Sequence, residues 1–135
     1  MSNAISKGFW DDAEVIYAYT RAQALEDGVL VDVSEMAKEA GIKYPVALTR
    51  AVWAKYVEVP EGVACQDERG RLWDIVWMFR CAAARFNGDT LLFKLYVRNH
   101  NRERLTRQDV VTLKAMCGPG DTPDPVITIM LPDED

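Results

Sequence analysis

The chain has 135 residues, and 16 lysines and arginines against 21 aspartates and glutamates give a formal net charge of −5 at pH 7. Its content of 49% hydrophobic and 27% charged residues is typical of a globular domain and excludes a disordered, collagen-like or low-complexity chain. The widely spaced Cys65, Cys81 and Cys117 form no CxxC pair, so we expect no disulfide framework, no metal site and no cofactor.

The sequence has no feature that points to a membrane. No apolar run approaches the roughly 20 residues that a membrane-spanning helix needs. The N-terminus lacks the basic segment and apolar run of a secretory signal. We therefore expect a cytoplasmic protein that forms one domain over residues 9–132, with flexible ends at residues 1–8 and 133–135.

The first predicted elements are short. Residues 14–19 (EVIYAY) are β-branched and aromatic and predict a strand, with a helix from Asp12 as the alternative. Thr20 and Gln23 form a capping-box pattern, which predicts a helix that starts after Thr20 and ends before Gly28.

A second and a third helix are predicted before residue 60. Residues 29–33 (VLVDV) predict an extended segment, after which Ser34 is expected to cap a helix that Gly41 closes. The third helix is expected to begin near Pro45, whose fixed φ suits a first helical position, and to run to about Val57.

The longest helical pattern lies between residues 69 and 86. Apolar residues recur there at spacings of three and four, which predicts one buried helix face made of Leu72, Ile75, Phe79, Ala82 or Ala83, and Phe86. Trp73, Trp77 and Arg80 fall on other faces. We expect a second layer to bury these tryptophans rather than leave an exposed aromatic patch.

After Asp89 the apolar period changes from 3.6 to 2. The alternation predicts three strands whose inward positions are Leu91, Phe93, Leu95 and Val97, then Val111, Leu113 and Ala115, then Ile127, Ile129 and Leu131. The predicted fold class is therefore α+β. About four helices in the N-terminal two-thirds are expected to pack on a three-stranded antiparallel C-terminal meander. The predicted fold is compatible with the presence or absence of the short N-terminal strand.

The charge is unevenly distributed. The last 15 residues contain no base, and their acids are Asp121, Asp124, Asp133, Glu134 and Asp135. The densest basic stretch is residues 98–109, where Arg98, Arg102, Arg104 and Arg107 outnumber the acids and His100 is the chain's one histidine. This stretch is interpreted either as a solvated loop or as a site for an anion or a partner.

Two local patterns suggest specific functions. Residues 33–57 resemble a helix-turn-helix, but Arg50 and Lys55 are the few basic contacts that it would offer, so nucleic acid is not the expected partner. The order strand, Thr20, helix, Gly28 looks like the opening of ADP-ribosyltransferase-like folds. Tyr19 and Thr20 stand where those folds usually carry His or Arg followed by Gly or Ser, so no catalytic residue is assigned.

Five blocks in order carry a family resemblance: residues 19–33 (YTRAQALEDGVLVDV), 45–53 (PVALTRAVW), 71–78 (RLWDIVWM), 118–121 (GPGD) and 126–132 (VITIMLP). They resemble the bacterial domain-of-unknown-function family 6573, which recurs on plasmids and prophages. The resemblance implies no activity and no catalytic residues. The setting that it implies favours an anti-defence or host-interaction role.

The expected function is a protein-binding module, for example an inhibitor of a host nuclease complex of the anti-CRISPR kind, with a host or phage protein as partner. The alternatives are a small enzyme with an ADP-ribosyltransferase-like fold and a helix-turn-helix DNA-binding protein; a homo-oligomer is left open. The competing interpretation of the polar residues is structural, as caps and ion pairs. The candidate binding residues are Tyr19, Thr20, Arg21, Asp32, Arg50, Asp74, Arg98, His100, Arg102, Arg104 and Asp121.

Overall fold

A computed structural model describes residues 19–135, so the strand predicted over residues 14–19 lies almost wholly outside the described residues. The helices are α1 (Arg21–Glu26), α2 (Ser34–Glu39), the short α3 (Arg50–Val52), which continues as a π-helix (Trp53–Val57), and α4 (Glu68–Ala83), and a single 3-10 turn (Arg107–Asp109) precedes β4. The strands are β1 (Leu30–Asp32), β2 (Val46–Thr49), β3 (Thr90–Tyr96), β4 (Val110–Pro119) and β5 (Pro125–Met130). The α+β class is confirmed.

The sheet is larger than predicted. Its five strands follow the order β1-β2-β5-β4-β3, and β2 pairs with β5 in parallel while all other pairs are antiparallel. The predicted strands β3, β4 and β5 do pair as antiparallel neighbours, with Phe93 opposite Leu113 and Ala115 opposite Ile129. They are not a separate meander, because β1 and β2 extend the same sheet beyond β5.

The prediction of a helix from Pro45 to about Val57 is wrong for its first half. Residues 46–49 form β2, and α3 begins only at Arg50, where the Thr49 hydroxyl accepts a hydrogen bond from the Val52 amide at 3.3 Å. Val46, Ala47 and Leu48 are all at most 1% exposed. A strand that is covered on both faces shows no polar alternation, so the periodicity did not reveal it. The alternative of a helix-turn-helix over residues 33–57 is not formed, since its recognition helix would have to include a central strand.

The caps of the first two helices differ in outcome. Thr20 and Gln23 form the predicted capping box of α1, and Gly28 follows the helix with a φ of +78°. Ser34 does not cap α2, because it is the first helical residue and its hydroxyl donates to Asp32 Oδ1 at 2.6 Å. The same hydroxyl accepts from the Val46 amide at 3.0 Å, so Ser34 ties β1 to β2.

Helix α4 covers one face of the sheet and presents the predicted Leu72, Ile75 and Phe79 to the core. The burial expected of both tryptophans is wrong for Trp77, which is 40% exposed and stacks on the half-buried Trp73 with ring centroids 5.8 Å apart. Phe86, 44% exposed, lies beyond the helix end.

No helix within residues 19–135 is long and apolar enough to cross a membrane.

Candidate functional site

The polar residues near the start of α1 form a clamp between this helix and the sheet. The Asp121 carboxylate accepts hydrogen bonds from the Arg21 amide at 2.7 Å and the Ala22 amide at 3.0 Å. The Arg21 guanidinium donates to Thr128 Oγ1 at 2.6 Å and to the Ile127 carbonyl at 2.8 Å. Burial lowers the pKa of Arg21, and the nearby carboxylates of Asp32 and Asp121 oppose this shift. Arg21 and Asp121 therefore hold α1 against the sheet, and Thr20 caps the same helix. All three side chains have a structural role.

A small enzyme would need polar side chains that converge in one pocket, and the candidate residues Tyr19, Arg21, Arg50 and Asp74 do not line the same one. Tyr19 and Arg21 line a depression of about 480 Å³ beside the end of β4 and Asp121. Arg50 instead donates from Nε to the Gly28 carbonyl at 3.1 Å, and Asp74 lies on α4. The Tyr19 hydroxyl donates to Asp27 at 2.8 Å, and this hydrogen bond raises the pKa of Tyr19.

A buried arginine that the sequence reading missed organises the other end of the molecule. Arg71 on α4 is 5% exposed, and its guanidinium donates to the Val57 carbonyl at 3.2 Å, the Arg98 carbonyl at 2.6 Å and Asn99 Oδ1 at 2.7 Å. Burial lowers the pKa of Arg71, and the Asp74 carboxylate opposes this shift. Arg71 lies four residues before Ile75, on the apolar face of α4. A charged residue at a position of the predicted buried face could have identified it from the sequence.

Residues 98–107, here named the arginine loop, are fastened to neighbouring segments by side chains that reach backbone groups. Asn101 accepts from the Ala64 amide at 2.8 Å and donates to the Gly62 carbonyl at 2.7 Å. Arg98 donates to the Arg102 carbonyl within the loop. The loop is therefore held to residues 62–64 and, through Asn99, to α4.

A histidine and an aspartate close the base of the arginine loop. His100 Nε2 lies 2.7 Å from Oδ1 of Asp109, which is 7% exposed. Because His100 Nδ1 accepts from the Arg102 amide at 3.0 Å, the geometry places the ring proton on Nε2, which donates to Asp109. The hydrogen bond from the Thr106 amide lowers the pKa of Asp109; burial opposes this, and His100 adds to the lowering.

The arginine loop presents charge to solvent. The side chain of Arg102 is 64% exposed and lies 3.9 Å from Asp109, while Arg104 and Arg107 are exposed and form no ion pair among residues 19–135. The structure thus brings together Arg98, His100 and Arg102 of the predicted residues. Arg104 lies in the same loop and makes no side-chain contact with them among the described hydrogen bonds.

The acidic C-terminal stretch is partly engaged within the chain. Besides Asp121, Glu134 accepts at Oε1 from the Thr49 hydroxyl and from the Leu131 amide, both at 2.8 Å, and its carbonyl accepts from Lys114. Asp124 accepts from the Thr122 hydroxyl at 3.5 Å, so three of the five acids are bonded within the chain. In the described part of the chain no three His, Cys, Asp or Glu side chains form a group that could hold a metal ion.

Comparisons with known proteins give one match. No curated protein and no solved structure matches the chain. The model of the family of unknown function DUF6573 matches residues 6–135, which is nearly the whole sequence. The match agrees with the resemblance carried by the five blocks, and the chain therefore belongs to the family DUF6573.

Proposed function

We propose that the protein is a cytoplasmic protein-binding module and that the arginine loop docks on an acidic segment of its partner. The observation that carries the proposal is that exposed arginines, of which Arg104 and Arg107 form no ion pair among residues 19–135, project from a loop whose backbone is held by Arg71, Asn99, Asn101 and Asp109. A loop that is already ordered loses little conformational entropy when it binds, and this favours affinity.

The charge distribution favours a protein partner over nucleic acid. The net charge of −5 repels a polyphosphate backbone at long range, while the local excess of arginine attracts a short acidic segment. Arginine is also enriched in protein interfaces, because its planar guanidinium pairs with carboxylates in a bidentate way. A mobile-element setting, with a host or phage protein as partner and an anti-defence or adaptor role, is part of this proposal.

The direct test uses poly-L-glutamate as the probe and isothermal titration as the measurement. A variant in which Arg102, Arg104 and Arg107 are all changed to Ala is expected to bind about 3- to 150-fold more weakly, since three exposed ion pairs contribute about 0.2–1 kcal/mol each. Binding by the natural chain is expected to weaken as salt rises. A triple change of the exposed Lys38, Lys55 and Arg85 to Ala is the matched control and should bind as the natural chain does.

A second variant separates shape from charge. Asn101→Ala keeps every charge but removes the bonds to Gly62 and Ala64, so the probe should bind several-fold more weakly. Equal affinity of the triple loop variant and the control variant would contradict the proposal. Tighter binding of a 20-base-pair DNA duplex than of poly-L-glutamate would do so as well and would favour the DNA-binding alternative.

A further inference from the structure

A cleft of about 350 Å³ lies between the C-terminal end of α4 and the sheet, and we name it the α4 cleft. Its wall is mostly apolar and includes Phe79, Ala83, Phe86, Leu91, Ala115 and Ile127. The volume falls in the range of pockets that hold small molecules, which are mostly apolar with a few polar groups. The cleft is at the start of β3, whereas the arginine loop follows the end of β3, so the two sites are separate.

Two cationic side chains line the α4 cleft. Arg80 is held with its guanidinium carbon 5.3 Å from the Trp77 ring centroid, and Lys43 Nζ lies 5.4 Å from the Tyr44 ring centroid. Within residues 19–135 neither side chain forms an ion pair. The one carboxylate in the lining, that of Asp89, accepts a hydrogen bond from the Thr90 hydroxyl at 3.2 Å.

Gly41 leaves room for one of these cations. Its φ of +95° is a conformation that residues with a side chain rarely adopt. A Cβ placed on Gly41 would lie 3.2 Å from Arg80 Nε, so a larger residue would displace the guanidinium. The turn after α2 thus leaves space for the Arg80 side chain beside the cleft, which is a second feature besides the apolar wall.

We propose that the α4 cleft binds a small amphipathic carboxylic acid, whose apolar body lies on the cleft wall and whose carboxylate pairs with Arg80 and Lys43. The guanidinium suits a carboxylate because it offers two parallel N–H donors. A fully polar anion would leave the apolar wall without a matching group, and an uncharged ligand would leave Arg80 and Lys43 without one. The apolar body of the ligand is thus matched by the cleft wall, and its carboxylate is matched by Arg80 and Lys43.

Cys117 offers a readout at this site. Its half-buried thiol lines the cleft, whereas Cys65 and Cys81 are exposed. A variant with Cys65→Ser and Cys81→Ser therefore keeps Cys117 as its single thiol. Decanoate is the probe, and decanol is its uncharged counterpart of equal chain length. Decanoate is expected to slow the alkylation of Cys117 by iodoacetamide at least several-fold and to bind with a measurable heat.

Charge and shape are tested by separate variants, with decanoate affinity as the measurement. Arg80→Gln is expected to weaken binding about tenfold, the size of one lost charge-assisted hydrogen bond, whereas the control Arg85→Gln on the same helical end should not. Ala83→Trp fills the cleft and is expected to abolish binding. Ala84→Trp, at the exposed neighbouring position, is its control for folding and should bind normally.

The proposal would be overturned by any of three results. Decanol that binds as tightly as decanoate would show that the cations play no part. An unchanged affinity of the Arg80→Gln variant would show the same. If Ala83→Trp fails to fold, the Cys117 protection assay still decides, because alkylation that decanoate does not slow would place the ligand outside the α4 cleft.

Discussion

Arg71 shows how one buried side chain organises a surface. Arg71→Met should lower the free energy of unfolding by about 2–4 kcal/mol, because it leaves the Val57 and Arg98 carbonyls and Asn99 without their donor. Urea denaturation measures the change. Arg69→Met is the control, since Arg69 is 74% exposed and its pair with Glu39 spans 3.4 Å, and its effect should stay within about 0.5 kcal/mol. A loss of similar size in both variants would contradict the role given to Arg71.

Asp109 makes stability depend on pH in the acid range. Its pKa is lowered in the folded protein, so its contribution is present above the ordinary carboxyl value of about 4 and is lost as the pH falls through the lower folded value. Stability measured by urea denaturation between pH 5 and the acid limit of folding should therefore fall less steeply in Asp109→Asn than in the natural chain. Identical slopes would show that Asp109 is not linked to folding.

At the scale of elements, α1 is fixed by two caps from different parts of the chain. Thr20 supplies the local one and Asp121, from the turn between β4 and β5, supplies a distant one. Asp121→Ala should destabilise the protein by about 1–2 kcal/mol, the cost of a lost helix cap. Asp133→Ala removes an exposed acid of the same stretch and should leave the urea midpoint unchanged. A shift of the same size for Asp133→Ala would point to overall charge rather than capping.

The elements that were predictable from the sequence are those with a local signal. Helix α4 and strands β3 and β4 have one face that is clearly more buried than the other, and in β5 the buried Ile127 and Ile129 alternate with half-buried residues, so periodicity marks all of them. The α1 cap is a sequence motif. Strand β2 gave no such signal because Val46, Ala47 and Leu48 are covered on both sides. Ser34 was misassigned because its hydroxyl bonds across to β2, a contact between distant residues.

The same limit applies to the candidate site. The excess of arginine in residues 98–107 was visible in the sequence, but Asn99 and Asn101, which hold this loop, act through partners 28 and 37 residues away. Arg21 and Asp121 were noticed as polar residues in matching blocks. Their contact, across about 100 residues, could be found only in the fold.

For the whole molecule, β2 joins the two halves of the chain. It pairs with β1 on one side and in parallel with β5 on the other, so the N-terminal half completes its strand pairing only against the C-terminal half. Leu48, which is fully buried in β2, lies opposite both Val31 and Ile129. The two halves are therefore expected to unfold together as one cooperative unit.

Leu48→Ala tests this cooperativity. The cavity that it creates should cost about 2–5 kcal/mol. In a Trp10→Phe background, tryptophan fluorescence reports only on Trp53, Trp73 and Trp77 in the helical layer, while far-ultraviolet circular dichroism reports on all of the backbone. Both signals should show one urea transition, and Leu48→Ala should shift the two midpoints equally. If the fluorescence midpoint moved and the dichroism signal split into two steps, the helical layer and the C-terminal strands would be separate units, because a defect in β2 would then have uncoupled them.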